Sequence, residues 1–193
     1  MHALAVALNF AAALAHAESN LVEMERHASD LIELSARYHF GHWLAIGAVY
    51  RGWVHSVSGD TADGILWIED GIRNYRATGA VLGVPNFLML KAEALYLASR
   101  TSEAVAAIKE AEILAERIEV RCWSAELHRL RGVFLAAMGA NETQIEAAFC
   151  EAIRTAKEQK SISLERRVEE THGEYQRQKA NVSGGRGFRL PLW

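Results

Sequence analysis

The chain of 193 residues sets 21 Lys and Arg against 24 Asp and Glu, a formal net charge of -3, and half of its residues are apolar. Mean hydropathy is -0.03, the balance of a soluble globular chain long enough for one core or a short repeat array. A net negative charge without a basic or acidic block speaks against nucleic acid as the partner and against a charged disordered tail. Cys122 and Cys150 are the only cysteines and form no CxxC pair. That usage excludes a disulfide framework, suggests buried thiols in a reducing, cytoplasmic setting, and leaves no basis for a metal centre or other cofactor.

The first element is alanine-rich, MHALAVALNFAAALAHAE. Ala15-His16-Ala17 imitates a signal-peptidase site, but no Lys or Arg precedes the apolar run and Asn9 and His16 interrupt it. A core helix is expected in place of a leader or a membrane span. Its apolar face begins at Met1 with no capping repeat before it, so it is expected either to pair with a second copy of the chain, giving a homodimer, or to be covered by a domain of a longer protein.

From there apolar residues recur at three and four, and Pro occurs only at positions 85 and 191, so helices are expected up to about residue 179. Breaks fall at 18–20, 39–41, 59–61, 79–85, 99–102, 119–121, 139–142 and 160–161, which outline nine helices in antiparallel pairs. His39 and His42 sit at one of these helix starts, which explains them without a metal ion.

Self-comparison reveals a period. Gly52, Ala92 and Gly132 are spaced by 40 and 40, whereas Ile68, Ile108 and Phe149, and Gly71, Ala111 and Ala152, are spaced by 40 and 41. Gly64, Ala104 and Ile145 keep the same beat. Small, large and small residues at relative positions 0, 4 and 7 share one helix face. The small residues let paired helices approach closely and the large one fills the gap between pairs. Gly52 is placed at the crossing, and Gly59 and Gly139 end their helices in the left-handed conformation. His55 shares the face of Gly52 and has no carboxylate or nucleophile at sensible local spacing, so catalysis is not expected of it.

This small-large-small face, with the turn glycines, resembles the tetratricopeptide repeat (TPR), with helices lengthened from the usual 34-residue period. The expected fold is an all-α solenoid of antiparallel helix pairs, TPR-like, with a period of about 40 residues. Four pairs and a capping helix, LERRVEETHGEYQRQKA, would make one repeat domain over 1–180. The remainder, 181–193, is expected either to be a flexible tail or, through Phe188, Leu190, Leu192 and Trp193, a hydrophobic peptide that docks on this chain or a neighbour.

YRATGAVLGVPNFLMLKAEAL, WSAELHRLRGVFLAAMGAN and EAAFCEAIRTAKEQKSISLERR together look like the C-terminal helical-repeat region of large bacterial signalling proteins. Those proteins join an adenylate or guanylate cyclase domain, or a winged-helix transcriptional domain, to an AAA-like ATPase domain and then to TPR-like repeats. The resemblance implies a recognition or regulatory part without the engine, since there is no GxxxxGK[ST] loop for phosphates and no pair of strand-borne aspartates for a cyclase's metal ions. The expected role is therefore not enzymatic: a protein-interaction scaffold that binds a protein segment, or a linked signalling domain, on the inner surface of the first helices. The alternative is a small-molecule sensor with a pocket between repeats. Tyr50, His55, Lys91, Arg121, Glu126 and Arg129 are the candidate partner-binding residues, with Glu126 and Arg129 either lining a groove or forming an i,i+3 pair on a solvated face. Trp43, Tyr50, Trp53, Trp67, Tyr75, Phe87, Tyr96 and Trp123 are expected between helices.

Overall fold

The computed structural model describes residues 1–181, 188 and 190–192. Nine helices occupy the described residues: α1 (His2–Ala17), α2 (Leu21–Tyr38), α3 (Gly41–Val57), α4 (Thr61–Ala77), α5 (Val84–Leu97), α6 (Thr101–Arg117), α7 (Ser124–Ala137), α8 (Glu142–Glu158) and α9 (Ile162–Asn181). The chain forms two compact units, Met1–Ser99 and Arg100–Trp193, whose boundary falls in the turn after α5. In the first, α2 packs on α1 and α3, and α4 and α5 pack on α3; in the second, α7 packs on α6, α8 and α9. Short turns make each packed pair of successive helices antiparallel.

The turns keep a nearly constant beat. Residues with positive φ stand at Ser19, His39, Gly59, Gly79, Ser99, Glu119, Gly139 and Lys160, one for each turn between successive helices. At most of them the next amide reaches back five residues: Asn20 N–H donates to the Ala15 carbonyl, Phe40 to Ser35, Asp60 to His55, Val120 to Ala115, Ala140 to Leu135 and Ser161 to Ala156. This bond satisfies a carbonyl that the helix end would otherwise leave open. Side-chain caps start only some helices: Asn20 Oδ1 accepts from Glu23 N–H, and Asn141 Oδ1 from Thr143 N–H.

The 40-residue pattern has a steric basis that differs between units. A Cβ on Gly52 would lie 2.6 Å from the Gly64 carbonyl oxygen, and one on Gly64 would lie 2.5 Å from that of Gly52. A Cβ on Gly71 would meet the Ala45 carbonyl at 2.8 Å. Thus α3 and α4 touch backbone to backbone. In the second unit a Cβ on Gly132 would meet the Phe149 ring at 2.8 Å; there the small residue on α7 makes room for a larger partner on α8. Ile68, Ala92, Ala104, Ile108, Ala111, Ile145, Phe149 and Ala152 are all buried.

Several expectations need correction. Cys122 and Cys150 are exposed, because both fall on the outward side of their segments; partial burial still pushes the Cys122 thiol up. Trp67 is 40 % exposed, since α4 turns its Leu66–Trp67 side to solvent, whereas Tyr50, Trp53, Tyr75 and Phe87 are buried. On α1, Ala5, Ala12 and Ala15 face inward while Leu4, Val6, Phe10 and Leu14 are exposed: the small side chains allow close packing and leave the large ones outside. Among the described residues no helix is long and apolar enough to cross a membrane.

Two substitutions separate crowding from propensity. Gly52→Ala should lower unfolding free energy by about 1–3 kcal/mol, because a backbone carbonyl cannot step aside as a side chain would. Gly41→Ala, where nothing lies within 4 Å of the new Cβ, should leave stability unchanged or raise it by up to about 1 kcal/mol. Urea unfolding followed by circular dichroism reads both.

Candidate functional site

In the second unit AELHRLRG opens α7, and its apolar residues Leu127 and Leu130 are buried as helical spacing requires. Glu126 and Arg129 are buried with them, at 4 % and 1 % exposure. The solvated-face alternative for this pair is therefore overturned: α9 and residues Pro191 and Leu192 cover this side of α7. A guanidinium out of water must find acceptors for its five N–H groups. Arg129 Nε donates to Glu126 Oε2 at 2.9 Å and Nη2 to Oε1 at 2.6 Å, a bidentate fork. Nη1 donates to Thr171 Oγ1 on α9 at 3.3 Å and to the Pro191 carbonyl at 3.5 Å. Nη2 also donates to the Leu192 carbonyl.

Pro191 and Leu192 thus lie against α7 and α9 of the second unit. Leu190 and Leu192 are 5 % and 6 % exposed, Pro191 between them is exposed, and the Phe188 ring stands edge-on to Tyr175 at 4.8 Å. That ring continues a row of aromatic contacts from Phe149 through His172 to Tyr175. Of the expected tail, residues 182–187, 189 and 193 lie outside the described residues. Beside Pro191 a cleft of about 660 Å³ runs along α9, lined by Arg166, Arg167, Glu170, Thr171, Glu174 and Arg177. Its charges are largely matched locally: Arg166 Nε to Glu170 at 2.8 Å, Arg177 to Glu174 at 2.8 Å, and Arg167 3.6 Å from Glu126.

The other candidates have different surroundings. Tyr50 is buried and donates to Asn9 Oδ1 at 3.0 Å, and burial pushes its phenol well up; it braces α3 on α1 and belongs to no open surface. His55, for which no nearby carboxylate was expected, lies 3.8 Å from Asp60, brought back by the turn at Gly59, and stacks at 6.2 Å on Trp67. Lys91 meets Glu69 at 2.7 Å, and Arg121 approaches Glu116 at 3.8 Å. Of the six, Glu126 and Arg129 alone are brought together.

Two features went unnoticed in the sequence. Glu93, 1 % exposed on α5, accepts from His16 Nε2 at 3.0 Å and from Trp53 Nε1 at 2.5 Å, tying α1, α3 and α5 together. Thr171 donates its hydroxyl to the Arg167 carbonyl at 2.9 Å, which leaves its oxygen facing Arg129. A polar cleft of about 480 Å³ in the same unit is lined by Arg121, His128 and Arg154 but equally by Glu116, Glu151 and Glu158. Arg154 bridges both Glu151 and Glu158, and its fork holds the Glu151 carboxyl below its usual range. No uncompensated positive field for a phosphate results. Among the described residues no group of three His, Cys, Asp or Glu is placed to hold a metal ion.

Removing Arg129 leaves the buried Glu126 carboxylate without its fork, with Arg167 still 3.6 Å away. Arg129→Met should therefore cost about 3–5 kcal/mol of stability, while Glu126→Leu combined with Arg129→Met should recover most of that loss. A double-mutant cycle by urea unfolding measures both.

No family model matches the chain. It is 25 % identical over 167 residues to the uncharacterized protein R02095 of Rhizobium meliloti, a match that takes in 86 % of this chain and 16 % of the relative's length. The chain therefore corresponds to a small part of that much longer protein. Among solved structures it is similar to Bacillus thuringiensis PlcR in complex with the peptide PapR7 and DNA, with a TM-score of 0.63, 20 % identity and coverage of 83 % of this chain and 54 % of that one. It is also similar to the apo form of RapI, with a TM-score of 0.57, 12 % identity and coverage of 89 % and 67 %. These likenesses show the fold class, an all-α, TPR-like helical repeat built of antiparallel helix pairs.

Proposed function

We propose that the chain is a non-catalytic regulatory module that binds a polypeptide segment in extended form and forms part of, or acts beside, a larger bacterial signalling protein. The observation that carries this is the seat of Leu190–Leu192 on the second unit, where a buried guanidinium donates to main-chain carbonyls. Main-chain recognition suits a segment whose backbone is not already paired within a helix, and two buried leucines supply the apolar contact.

The likeness to PlcR supports a peptide partner, since that protein's structure includes the peptide PapR7. PlcR is also bound to DNA there. For this chain a polypeptide is favoured over nucleic acid, because the net charge is negative and many arginines are paired with carboxylates, leaving little field for a phosphate backbone. The length of the Rhizobium relative supports a role inside a multidomain protein. Any cyclase or ATPase activity would reside in a domain outside this sequence, and a cytoplasmic setting fits such a system.

Selection of a displayed random-peptide library on the immobilised full chain tests the proposal. Enriched peptides should bind one to one in calorimetry and compete with one another. Failure to enrich any sequence above a folded control protein would contradict it.

A further inference from the structure

Leu190, Pro191 and Leu192 alternate buried, exposed and buried, and none of them belongs to a helix. The Pro191 and Leu192 carbonyls accept from a buried arginine that the Glu126 carboxylate holds in place. Prolines carry no N–H, so Pro191 can lie outward without leaving a backbone donor unmatched, and its ring restricts the segment before it docks. The carbonyls accept from Arg129 whatever side chains the segment carries; the spacing of the two leucines is what selects. Beyond Pro191 the cleft along α9, rimmed by the Arg166–Glu170 and Arg177–Glu174 pairs, has room for a segment longer than the three residues seated there.

We infer that the Arg129 seat on α7 and α9 is a recognition site for an extended apolar-Pro-apolar peptide segment, and that the chain's own Leu190–Pro191–Leu192 is its resident occupant, so that a partner segment of the same chemistry binds by displacing it. The inference rests on the peptide-binding function and specifies its site, the partner's chemistry and the competition that controls access. A tethered segment competes at an effective concentration of roughly millimolar. An incoming peptide of micromolar intrinsic affinity is thereby held off until its own concentration is high or the tail is drawn away.

The test uses the full chain and a fluorescein-labelled heptapeptide, GFRLPLW, read by fluorescence polarisation. The double variant Leu190→Asp/Leu192→Asp vacates the seat without touching Arg129 and should bind the probe at least tenfold more tightly than the unaltered chain. Leu192→Ala, a milder change, should fall between them, and it keeps the test decisive if the double variant does not fold. A probe with Asp in place of both leucines should not bind any of the three. Equal affinity for all three proteins would overturn the inference while leaving peptide binding elsewhere on the module intact. Probe binding to none would show that the tail is simply part of the second unit's core; the library selection then judges peptide binding separately.

Discussion

A guanidinium with 1 % of its residue surface exposed cannot be left with open donors, and much of the second unit follows from that constraint. Arginine stays charged at any working pH, so each of its five N–H groups needs an acceptor inside the protein. Glu126, one turn earlier on the same helix, supplies two oxygens; Thr171 brings α9 to the third donor; the carbonyls of Pro191 and Leu192 take the rest. Three parts of the chain separated by about 40 and 60 residues are thereby fixed on one side chain. A buried ion pair contributes little net stability against an apolar replacement, and what it supplies here is register: α9 and the terminal segment can sit on α7 in one way.

The first unit meets the same demand with different residues. Glu93 is as deeply buried as Arg129, and its carboxylate collects donors from α1 and α3. Its acceptors are used by side chains of the helices themselves, so it closes a core and offers nothing to an added segment. Arg129 differs because some of its donors reach main-chain carbonyls, those of Pro191 and Leu192, outside any helix. The steric layout differs in parallel. Where α3 and α4 touch through glycine backbone, the pair is closely joined; where Gly132 makes way for the Phe149 ring, an aromatic row forms that ends at Phe188. A repeat that looks uniform in sequence thus produces one unit closed by side chains of its helices and one whose buried arginine also holds Pro191 and Leu192.

Much of the helical plan was legible because its causes are local. The eight breaks coincide with the eight positive-φ turns, three of them glycine and the others Ser, His, Glu or Lys that the turn forces into the left-handed region. The close approaches at Gly52, Gly64 and Gly71 were legible for the same reason: small residues at a fixed period leave few other uses. The site was far less so. Glu126 and Arg129 at i,i+3 look identical in sequence whether water or α9 lies beside them, and only tertiary cover decides. Tyr50 was expected both between helices and on the partner surface, because a phenol is at home in either place, and its burial bears out the first reading. Glu93 sits in KAEAL, which resembles a solvent-facing turn until His16 and Trp53 are brought to it. The Cys122 and Cys150 exposures were missed because average burial of a residue type says nothing of its position on a particular helix.

Whether the terminal segment rests on Arg129 in solution is the point on which the account depends most. A photoreactive diazirine analogue of leucine placed at position 192 of the full chain, irradiated at low protein concentration and mapped by mass spectrometry, measures this directly. The account predicts cross-links within one chain to peptides of α7 and α9, lost when an apolar-Pro-apolar peptide is added in excess. Cross-links confined to α1 through α5, or to a second chain, would contradict it.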